Sequence, residues 1–272
     1  MLAPVKRAEP WSDPELYDLG FSFDTAEELA FFCELFRRHR AAPTTSLLDL
    51  ACGPGRFLLR QARAGWRVVG VDASAEMIAH CRERARTAGL AVELHRADMT
   101  SHRVSPPCDV ALCGRDSINY LLEDGALEQH FAAVAASLAP DGLYVIDTSL
   151  FPPGRYRGQR RWTWSDPTPQ GTLQVRYRIL RPPTADERCY EEQLEVRLEP
   201  ESGPPRRLIQ RAVKRAIAAG ELEAVAAATG VFTVVERYAD LDTDATLRRA
   251  ARPDRLILVL RVHPREREGG PR

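Results

Sequence analysis

A chain of 272 residues with 44% hydrophobic residues and no net charge can bury one core, or one core and a smaller addition. This charge balance gives no reason to expect nucleic acid or a membrane surface as a partner. The six cysteines and six histidines are scattered without metal-ligand spacing, and no apolar run approaches membrane length. We therefore expect a cytoplasmic protein with reduced thiols and no metal site.

Two helices are predicted before the first strand. Ser12 or Asp13 is a candidate cap for a short helix that begins at Pro14, and apolar residues recur at helical spacing over 29–36. Because this segment precedes the first strand, it lies outside the predicted core sheet and could fold over its ligand edge. Tyr17 would then belong to a lid, although a packing anchor is an equally good interpretation.

Short apolar strands alternate with helices over residues 47–147, which predicts βαβ units in a parallel sheet. One helix, from about Leu127 to Leu138, is expected to stop at a turn over 140–142. The predicted strands are a first one that ends at Asp49, followed by 66–72, 91–95, 108–113 and 143–147.

The pattern changes after residue 150. From Phe151 to about Lys214, alternating segments between Pro-rich turns predict an antiparallel insert of three or four strands. A helix over Glu221–Thr229 and a strand pair, 231–238 and 255–262, then return to one edge of the main sheet. The predicted domains are 1–150 (lid helices and the first part of a cofactor-binding domain), 151–216 (the insert), 217–263 (the rest of the cofactor-binding domain) and 264–272 (a disordered tail).

The stretch Asp49-Leu50-Ala51-Cys52-Gly53-Pro54-Gly55 predicts a buried strand, a tight turn and the start of a helix. Its glycines let a ligand lie against bare backbone, facing the free amide groups of the helix start. A dinucleotide fingerprint needs a third glycine where Leu58 stands, and no Lys-Ser or Lys-Thr of a Walker loop follows. The turn therefore favours a nucleotide-like cofactor without pyrophosphate. A nicotinamide-dependent oxidoreductase and a non-catalytic binding module on the same fold remain alternatives.

Three acids end three successive predicted strands: Asp49, Asp72 and Asp98. Asp72 follows Asp49 at roughly the 20-residue spacing at which an acid meets ribose hydroxyls in nucleotide-binding α/β folds. A carboxylate suits this role because it accepts hydrogen bonds from two vicinal hydroxyls at once. Asp98 could accept a hydrogen bond from the adenine amino group while the Met99 amide donates one to a ring nitrogen. Met77 could lie beneath the adenine ring unless it is a core residue.

Several of these segments, in this order, resemble the motifs of class I S-adenosylmethionine-dependent methyltransferases. The matching segments are Asp49–Gly55, Val71–Met77, Ala97–Met99, Asp109–Cys113 and Pro140–Leu143. The resemblance implies an α/β, Rossmann-like sheet of seven strands with the last strand antiparallel, and S-adenosyl-L-methionine as the cofactor. It implies that the cofactor-binding residues are Asp49, Ala51, Gly53, Gly55, Asp72, Ala73, Met77, Asp98, Met99 and Cys113. Among these, Gly53 and Gly55 would approach the methionine part.

Within this family, Tyr17–Phe21, Asp116–Leu121 and the insert resemble the small-molecule branch that includes sugar N-methyltransferases of antibiotic biosynthesis. The resemblance implies methyl transfer to a nitrogen or oxygen of a small molecule, such as an amino sugar or another secondary metabolite. The expected catalytic residues are Tyr17, which would close over the sulfonium, Asp116, which would bind an ammonium or accept its proton, and Asn119, which would orient the acceptor. A simpler interpretation is that Asp116 or Ser117 only caps the next helix.

Two features leave the acceptor side open. Arg115 has no counterpart in the family motif and could point to solvent. The insert could cover the substrate pocket or form the surface of a homodimer. Its many arginines are offset by acids, which favours a solvated sheet face over a nucleic-acid surface.

Overall fold

The computed structural model describes residues 13–21, 25–150, 161–184, 188–218, 220–244 and 255–263. The helices are α1 Pro14–Phe21, α2 Thr25–His39, α3 Arg56–Arg63, α4 Ala75–Thr87, α5 Ala126–Ser137 and α6 Glu221–Ala228, with a 3-10 turn at Ser117–Tyr120. The strands are β1 Ser46–Leu50, β2 Arg67–Asp72, β3 Glu93–Arg96, β4 Cys108–Cys113, β5 Leu138–Ser149, β6 Arg161–Thr168, β7 Gly171–Arg181, β8 Cys189–Glu199, β9 Arg206–Arg215, β10 Phe232–Tyr238 and β11 Arg255–Val262.

Seven strands form the main sheet in the order β10-β11-β5-β4-β1-β2-β3. Strand β11 runs antiparallel to both its neighbours, and the other pairings of the sheet are parallel. The predicted Rossmann-like sheet with an antiparallel last strand is thus confirmed. Since the chain leaves β1 for β2 on one side and reaches β4 on the other, the carboxyl ends of β1 and β4 form the switch point where such sheets bind ligands.

Helices cover both faces of this sheet. Side chains of α2, α3 and α4 form one apolar cluster with it, and side chains of α5 and α6 form the other. All five residues of β1 are buried. Burial on both faces explains why the central strands are continuous apolar runs in the sequence rather than alternating ones.

The predicted turn before the fifth strand is wrong in one respect. Helix α5 ends at Ser137, and β5 already begins at Leu138, so residues 140–142 lie inside the strand. The turn residues instead produce an irregularity: Asp141 has a φ of 63°, and the pairing with β4 shifts between Cys108 and Val110. A Cβ on Gly142 would lie 2.7 Å from the Ala139 carbonyl oxygen, so the strand requires a glycine there. Strand β3 begins at Glu93 and not, as predicted, at residue 91.

The insert is a separate antiparallel sheet in the order β6-β7-β8-β9, as predicted. Helix α1 packs on it through Leu16, which lies against Val175 and Val196. Asp13 caps this helix by accepting a hydrogen bond from the Leu16 amide at 3.0 Å, and it also pairs with Arg206 of β9 at 2.7 Å. The first helix therefore packs on the insert, and its Asp18 also pairs with Arg84 of α4 at 2.9 Å.

The predicted boundaries at 150 and 216 fall at the ends of β5 and β9. The other candidate cap, Ser12, and the predicted tail, 264–272, lie outside the described residues. All six cysteines are free thiols. Within the described ranges, no helix is both long enough and apolar enough to cross a membrane.

Candidate cofactor and acceptor site

A cavity of about 1220 Å³ lies between the carboxyl edge of the main sheet and one face of the insert sheet. Its two sides are built differently. The main sheet supplies residues of the turns that follow β1, β2 and β3: Ala51, Gly53, Asp72, Ala73, Met77, Asp98 and Met99. The insert supplies side chains of all four of its strands: Trp162, Trp164, Tyr177, Ile179, Glu192, Leu194, Gln210, Val213 and Lys214.

The turn after β1 contains two glycines with different roles. Ala51 and Gly53 both have positive φ, and a Cβ on Gly53 would meet no atom within 4 Å, because the space beside it is the cavity. Gly55 has a φ of 82°, and a Cβ there would lie 2.4 Å from the Cys81 sulfur. Gly55 does not line the cavity; its missing side chain lets α3 and α4 pack together. Of these two glycines, therefore, Gly53 is the one that lies where a ligand could approach the backbone.

Asp72 is held in place by the backbone. Its Oδ2 accepts a hydrogen bond from the Gly53 amide and its Oδ1 accepts one from the Ser74 amide, both at 2.8 Å. Burial raises the pKa of Asp72, and the two amide donors act against this by stabilising the carboxylate. Because each carboxylate oxygen has a second lone pair, the group can still accept two more hydrogen bonds from the cavity. The position fits a pair of vicinal hydroxyls.

The loop after β3 forms a further part of the main-sheet side of the cavity. The Asp98 Oδ1 accepts hydrogen bonds from the Thr100 amide at 2.9 Å and hydroxyl at 2.7 Å. The carbonyl oxygen of Met99 accepts from the Nδ1 atoms of His102 and His130, at 3.1 and 2.9 Å. Burial lowers the pKa of His130 to about 4, so the ring is neutral and its Nε2 can accept from the Tyr144 hydroxyl. These bonds fix the backbone of the loop from below.

Asp116 faces the cavity from the loop after β4. It precedes the 3-10 turn with a φ of 60°, but its side chain makes no capping bond. Its two carboxylate oxygens instead accept hydrogen bonds from the backbone amide and the hydroxyl of Ser149. Burial raises the pKa of Asp116, while Lys214 and the Ser149 amide lower it. The interpretation of Asp116 as a mere helix cap is therefore wrong.

Comparison with known proteins agrees with this geometry. Residues 47–142 match a family model described as a methyltransferase domain. A curated relative from Streptomyces fradiae, a dTDP-3-amino-3,6-dideoxy-alpha-D-glucopyranose N,N-dimethyltransferase, is 35% identical over 141 residues, which are 51% of this chain and 53% of the relative. The chain thus spans about half the length of the curated relatives it matches.

Solved structures extend the likeness to the whole fold. DesVI from Streptomyces venezuelae superposes with a TM-score of 0.74 at 20% identity, covering 92% of this chain and 96% of DesVI. The sugar N-methyltransferase KedS8 from a Streptoalloteichus species superposes with a TM-score of 0.72 at 22% identity, covering 97% of each chain.

Residues 47–142 thus form a methyltransferase domain, in agreement with the predicted resemblance to class I S-adenosylmethionine-dependent methyltransferases. The predicted family is confirmed, and the comparisons give no support to a nicotinamide-dependent oxidoreductase. The cofactor of this family fits the side formed by the main sheet, because Asp72 keeps free lone pairs there and Gly53 leaves the backbone open. Within the described part of this methyltransferase, no group of three His, Cys, Asp or Glu side chains could hold a metal ion.

Two residues predicted to contact the cofactor lie behind the cavity instead. Asp49 and Cys113 are buried and do not line it. Burial, together with the nearby Asp72 carboxylate, raises the pKa of Asp49 to about 7 against the opposing effect of Arg56. Burial likewise raises the pKa of the Cys113 thiol to about 12. Of the remaining predicted residues on this side, Ala73 and Met77 line the cavity as expected.

Asn119 does not face the acceptor, so this prediction is wrong. The residue is fully buried and outside the cavity lining. Its Nδ2 donates to the Arg215 carbonyl oxygen at 2.8 Å, and its Oδ1 accepts from the Thr148 hydroxyl at 2.7 Å. These bonds join the end of β5 to the end of β9, so Asn119 connects the main sheet to the insert.

Tyr17 lines the cavity as predicted, next to an ionic cluster that sequence reasoning missed. Glu28 of α2 is buried and pairs with both Arg56, at 3.0 Å, and Arg115. Arg115 therefore does not point to solvent; its guanidinium also lies 5.8 Å from the centre of the Phe21 ring. Burial raises the pKa of Tyr17, and the two arginines oppose this. A buried position for Glu28 was predictable only from its place among the apolar residues of α2.

The insert contributes a second ionic cluster that sequence reasoning missed. Glu192 pairs with Lys214 at 2.8 Å and accepts a hydrogen bond from the Tyr177 hydroxyl. The Lys214 ammonium also lies 4.8 Å from the centre of the Tyr120 ring. Burial opposes the charge of Lys214, but Glu192, Tyr120, Tyr190 and Asp116 together outweigh it, and the pKa of Lys214 is raised well above its usual value. The sequence contained one signal for this cluster. Glu192 and Lys214 stand at alternating strand positions on the face that the pattern predicts to be buried, where an ionisable side chain needs a partner.

Proposed function

We propose that this protein transfers a methyl group from S-adenosylmethionine to the nitrogen of a small-molecule amine, with an amino sugar as the first candidate. A hydroxyl acceptor is the second candidate. The observation that carries the proposal is the Asp116 carboxylate, which is half-buried and faces the cavity between the cofactor side and the insert. The curated relative from Streptomyces fradiae, named as an N,N-dimethyltransferase of an amino sugar nucleotide, supports the class of acceptor.

The residues that would hold the cofactor are Asp72 at the ribose, Asp98 and Met99 at the adenine, and Met77 beneath the ring. When bound, S-adenosylmethionine supplies a methyl group on a positively charged sulfur. The turn at Gly53 offers bare backbone for the amino-acid part. Each of these residues lines the cavity, and the acids are oriented by backbone or threonine donors, so the site needs little rearrangement to bind.

The charges of the cavity favour an amine over an alcohol. Glu28, Asp147 and Glu192 are each neutralised by a basic side chain at 3.0 Å or less. Asp72, Asp98, Asp116 and Glu123 also line the cavity, and none of them makes an ion pair with a described residue. Uncompensated carboxylates attract positive charge, which suits a sulfonium together with an ammonium.

Asp116 would then prepare the acceptor. A protonated amine has no free lone pair, so a nearby base must take its proton before the methyl group can be transferred. Burial raises the pKa of Asp116 and so makes the carboxylate a better base, while the two hydrogen bonds from Ser149 hold its orientation. The insert sheet and α1 cover the cavity and exclude water from the reacting groups.

A direct test combines cofactor binding with turnover. Titration calorimetry with S-adenosylhomocysteine should show binding, and methyl 3-amino-3-deoxy-α-D-glucopyranoside should be methylated while methyl α-D-glucopyranoside is not. Asp116→Asn should lower kcat roughly 10²-fold, within the range of general-base effects, and leave the affinity for S-adenosylhomocysteine unchanged. Asp124→Asn is the matched control, because Asp124 is exposed and lies outside the cavity lining. Absence of cofactor binding would contradict the proposal and favour a non-catalytic module.

Two further predictions belong to this proposal. A cytoplasmic location is supported by the six free cysteines, which would be prone to oxidation outside the cell. Pairing of two chains through the insert stays a prediction, which sedimentation velocity of the purified protein would test.

A further inference from the structure

Gln210 lies at the β9 end of a row of residues that crosses the insert sheet. Trp162 of β6 pairs with Tyr177 of β7, Tyr177 with Leu194 of β8, and Leu194 with Gln210 of β9. Directly opposite residues of antiparallel strands point to the same face, and all four line the cavity. The row therefore presents two aromatic rings, one apolar side chain and one carboxamide to the acceptor side.

Within the described part of the chain, the carboxamide of Gln210 has no hydrogen-bond partner. The residue is only 7% exposed, and neither its Oε1 nor its Nε2 is bonded to any described group. Its neighbours on the same face of the sheet are Leu194, Leu208 and Ala212, which offer no polar side-chain atom. Leaving a buried amide without a hydrogen-bond partner is unfavourable in proteins.

A second buried glutamine in the same sheet shows the contrast. Gln193 faces the opposite side of β8 and is 3% exposed. Its Oε1 accepts a hydrogen bond from the Arg211 Nε at 3.1 Å. The sheet thus provides a partner for a buried glutamine outside the cavity, and provides none for the glutamine inside it.

The charged groups beside Gln210 are already engaged with one another. Glu192 accepts from Tyr177 and pairs with Lys214, and this cluster lies one pair further along the same face. The rings of Trp162 and Tyr177 lie against each other, with centroids 5.1 Å apart. On this face, a ligand would therefore meet an aromatic surface and a carboxamide that can both donate and accept.

We propose that Gln210 binds a hydroxyl group of the acceptor and thereby selects a hydroxylated ring over its deoxy analogue. A hydroxyl can donate to the Oε1 and accept from the Nε2, which satisfies both unpaired atoms at once. The apolar face of the ring would lie on Trp162 and Tyr177. This inference rests on the proposed function, because it takes the insert side of the cavity as the acceptor side.

The expected selectivity follows from the burial of the amide. A site that is built to bind a hydroxyl rejects an analogue without it, because its buried polar groups then stay unpaired. Methyl 3-amino-3-deoxy-α-D-glucopyranoside and its analogues without the hydroxyl at C2, C4 or C6 are suitable probes. With S-adenosylhomocysteine bound, loss of one particular hydroxyl should weaken calorimetric binding to the wild-type protein at least about tenfold. In Gln210→Leu, that difference should shrink to less than about twofold.

A stability measurement without any ligand supports or overturns the same inference. Leucine has nearly the same shape as glutamine and no polar atoms, so Gln210→Leu should raise the Tm of the ligand-free protein by roughly 2–4 °C. The matched control, Gln193→Leu, should not raise the Tm, because the amide that it removes is already hydrogen-bonded to Arg211.

The outcomes separate this inference from the proposed function. A lower Tm for Gln210→Leu, or binding to the wild-type protein that is indifferent to every hydroxyl, would overturn the role of Gln210. A hydroxyl-dependent difference in binding without methyl transfer to any amine would contradict the proposed reaction and support the role of Gln210.

Discussion

The two sides of the cavity are built by different means. The side formed by the main sheet consists of turns whose backbone amides orient two carboxylates, as Gly53 and Ser74 do for Asp72. The side formed by the insert is the face of a sheet, where side chains such as Glu192 and Lys214 bind one another. The first kind of site is specified within a few consecutive residues, and the second depends on the register of four strands. One fold can therefore specify a cofactor site within a few consecutive residues and an acceptor site through the pairing of strands that are distant in the sequence.

The largest expected effect tests the ionic cluster of the insert. Lys214→Met should lower the free energy of unfolding by about 3–5 kcal/mol, because it leaves the Glu192 charge buried without its partner. Urea denaturation followed by tryptophan fluorescence measures this. Arg197→Met removes an exposed pair on the other face of the sheet and should change little. Equal effects of the two variants would show that the acceptor side is not specially organised.

A pH series tests the support beneath the cofactor side. Burial lowers the pKa of His130 to about 4, whereas an unfolded histidine titrates near 6.5. The unfolded chain therefore binds a proton that the native protein excludes, and stability falls as the pH drops from about 6.5 to about 4. The loss should reach about 3 kcal/mol below that range.

His130→Gln should flatten this part of the pH profile of unfolding, since glutamine can still donate to the Met99 carbonyl but does not titrate. His95→Gln, at an exposed histidine, serves as the control. An unchanged slope in His130→Gln would show that His130 does not stay neutral in the folded protein.

A third prediction concerns the acid on the cofactor side. Asp72→Asn should weaken calorimetric binding of S-adenosylhomocysteine roughly 100-fold, because an amide nitrogen would face one of the two backbone donors and the charge-assisted bonds would be lost. The control is Glu76→Gln, an exposed residue outside the cavity lining whose carboxylate accepts a hydrogen bond from the Ser74 hydroxyl. Wild-type affinity in Asp72→Asn would remove Asp72 from the ribose site.

The smallest expected effects separate the two glycines of the turn. Gly55→Ala should lower the free energy of unfolding by about 2 kcal/mol, because alanine is strained at this φ and its Cβ would collide with Cys81. Gly53→Ala should cost about 1 kcal/mol from backbone strain alone. Cofactor affinity should show the reverse order, since only the Cβ on Gly53 would enter the cavity. Identical profiles for the two variants would contradict this assignment.

The sequence by itself determined most of the main sheet and the cofactor side. The alternation of apolar strands and helices gives the βαβ order, and Asp13 caps the helix that follows it, as predicted. Asp72, Gly53 and Met77, which the sequence predicts to contact the cofactor, line the cavity. These features depend on backbone conformation and hydrogen bonds within a few residues, so neighbouring residue types are enough to predict them.

Only the tertiary structure decided the rest. Asn119 and Asp116 lie three residues apart, yet one joins the two sheets and the other faces the cavity. Gly55 is required by Cys81 of another helix, and Gln210 reaches the acceptor side only because β9 pairs in one register with β8. These roles arise from contacts between distant parts of the chain, and a shift of one residue in a strand would turn Gln210 to the opposite face. Local sequence carries no signal for such pairing, so the acceptor side had to be seen in the folded protein.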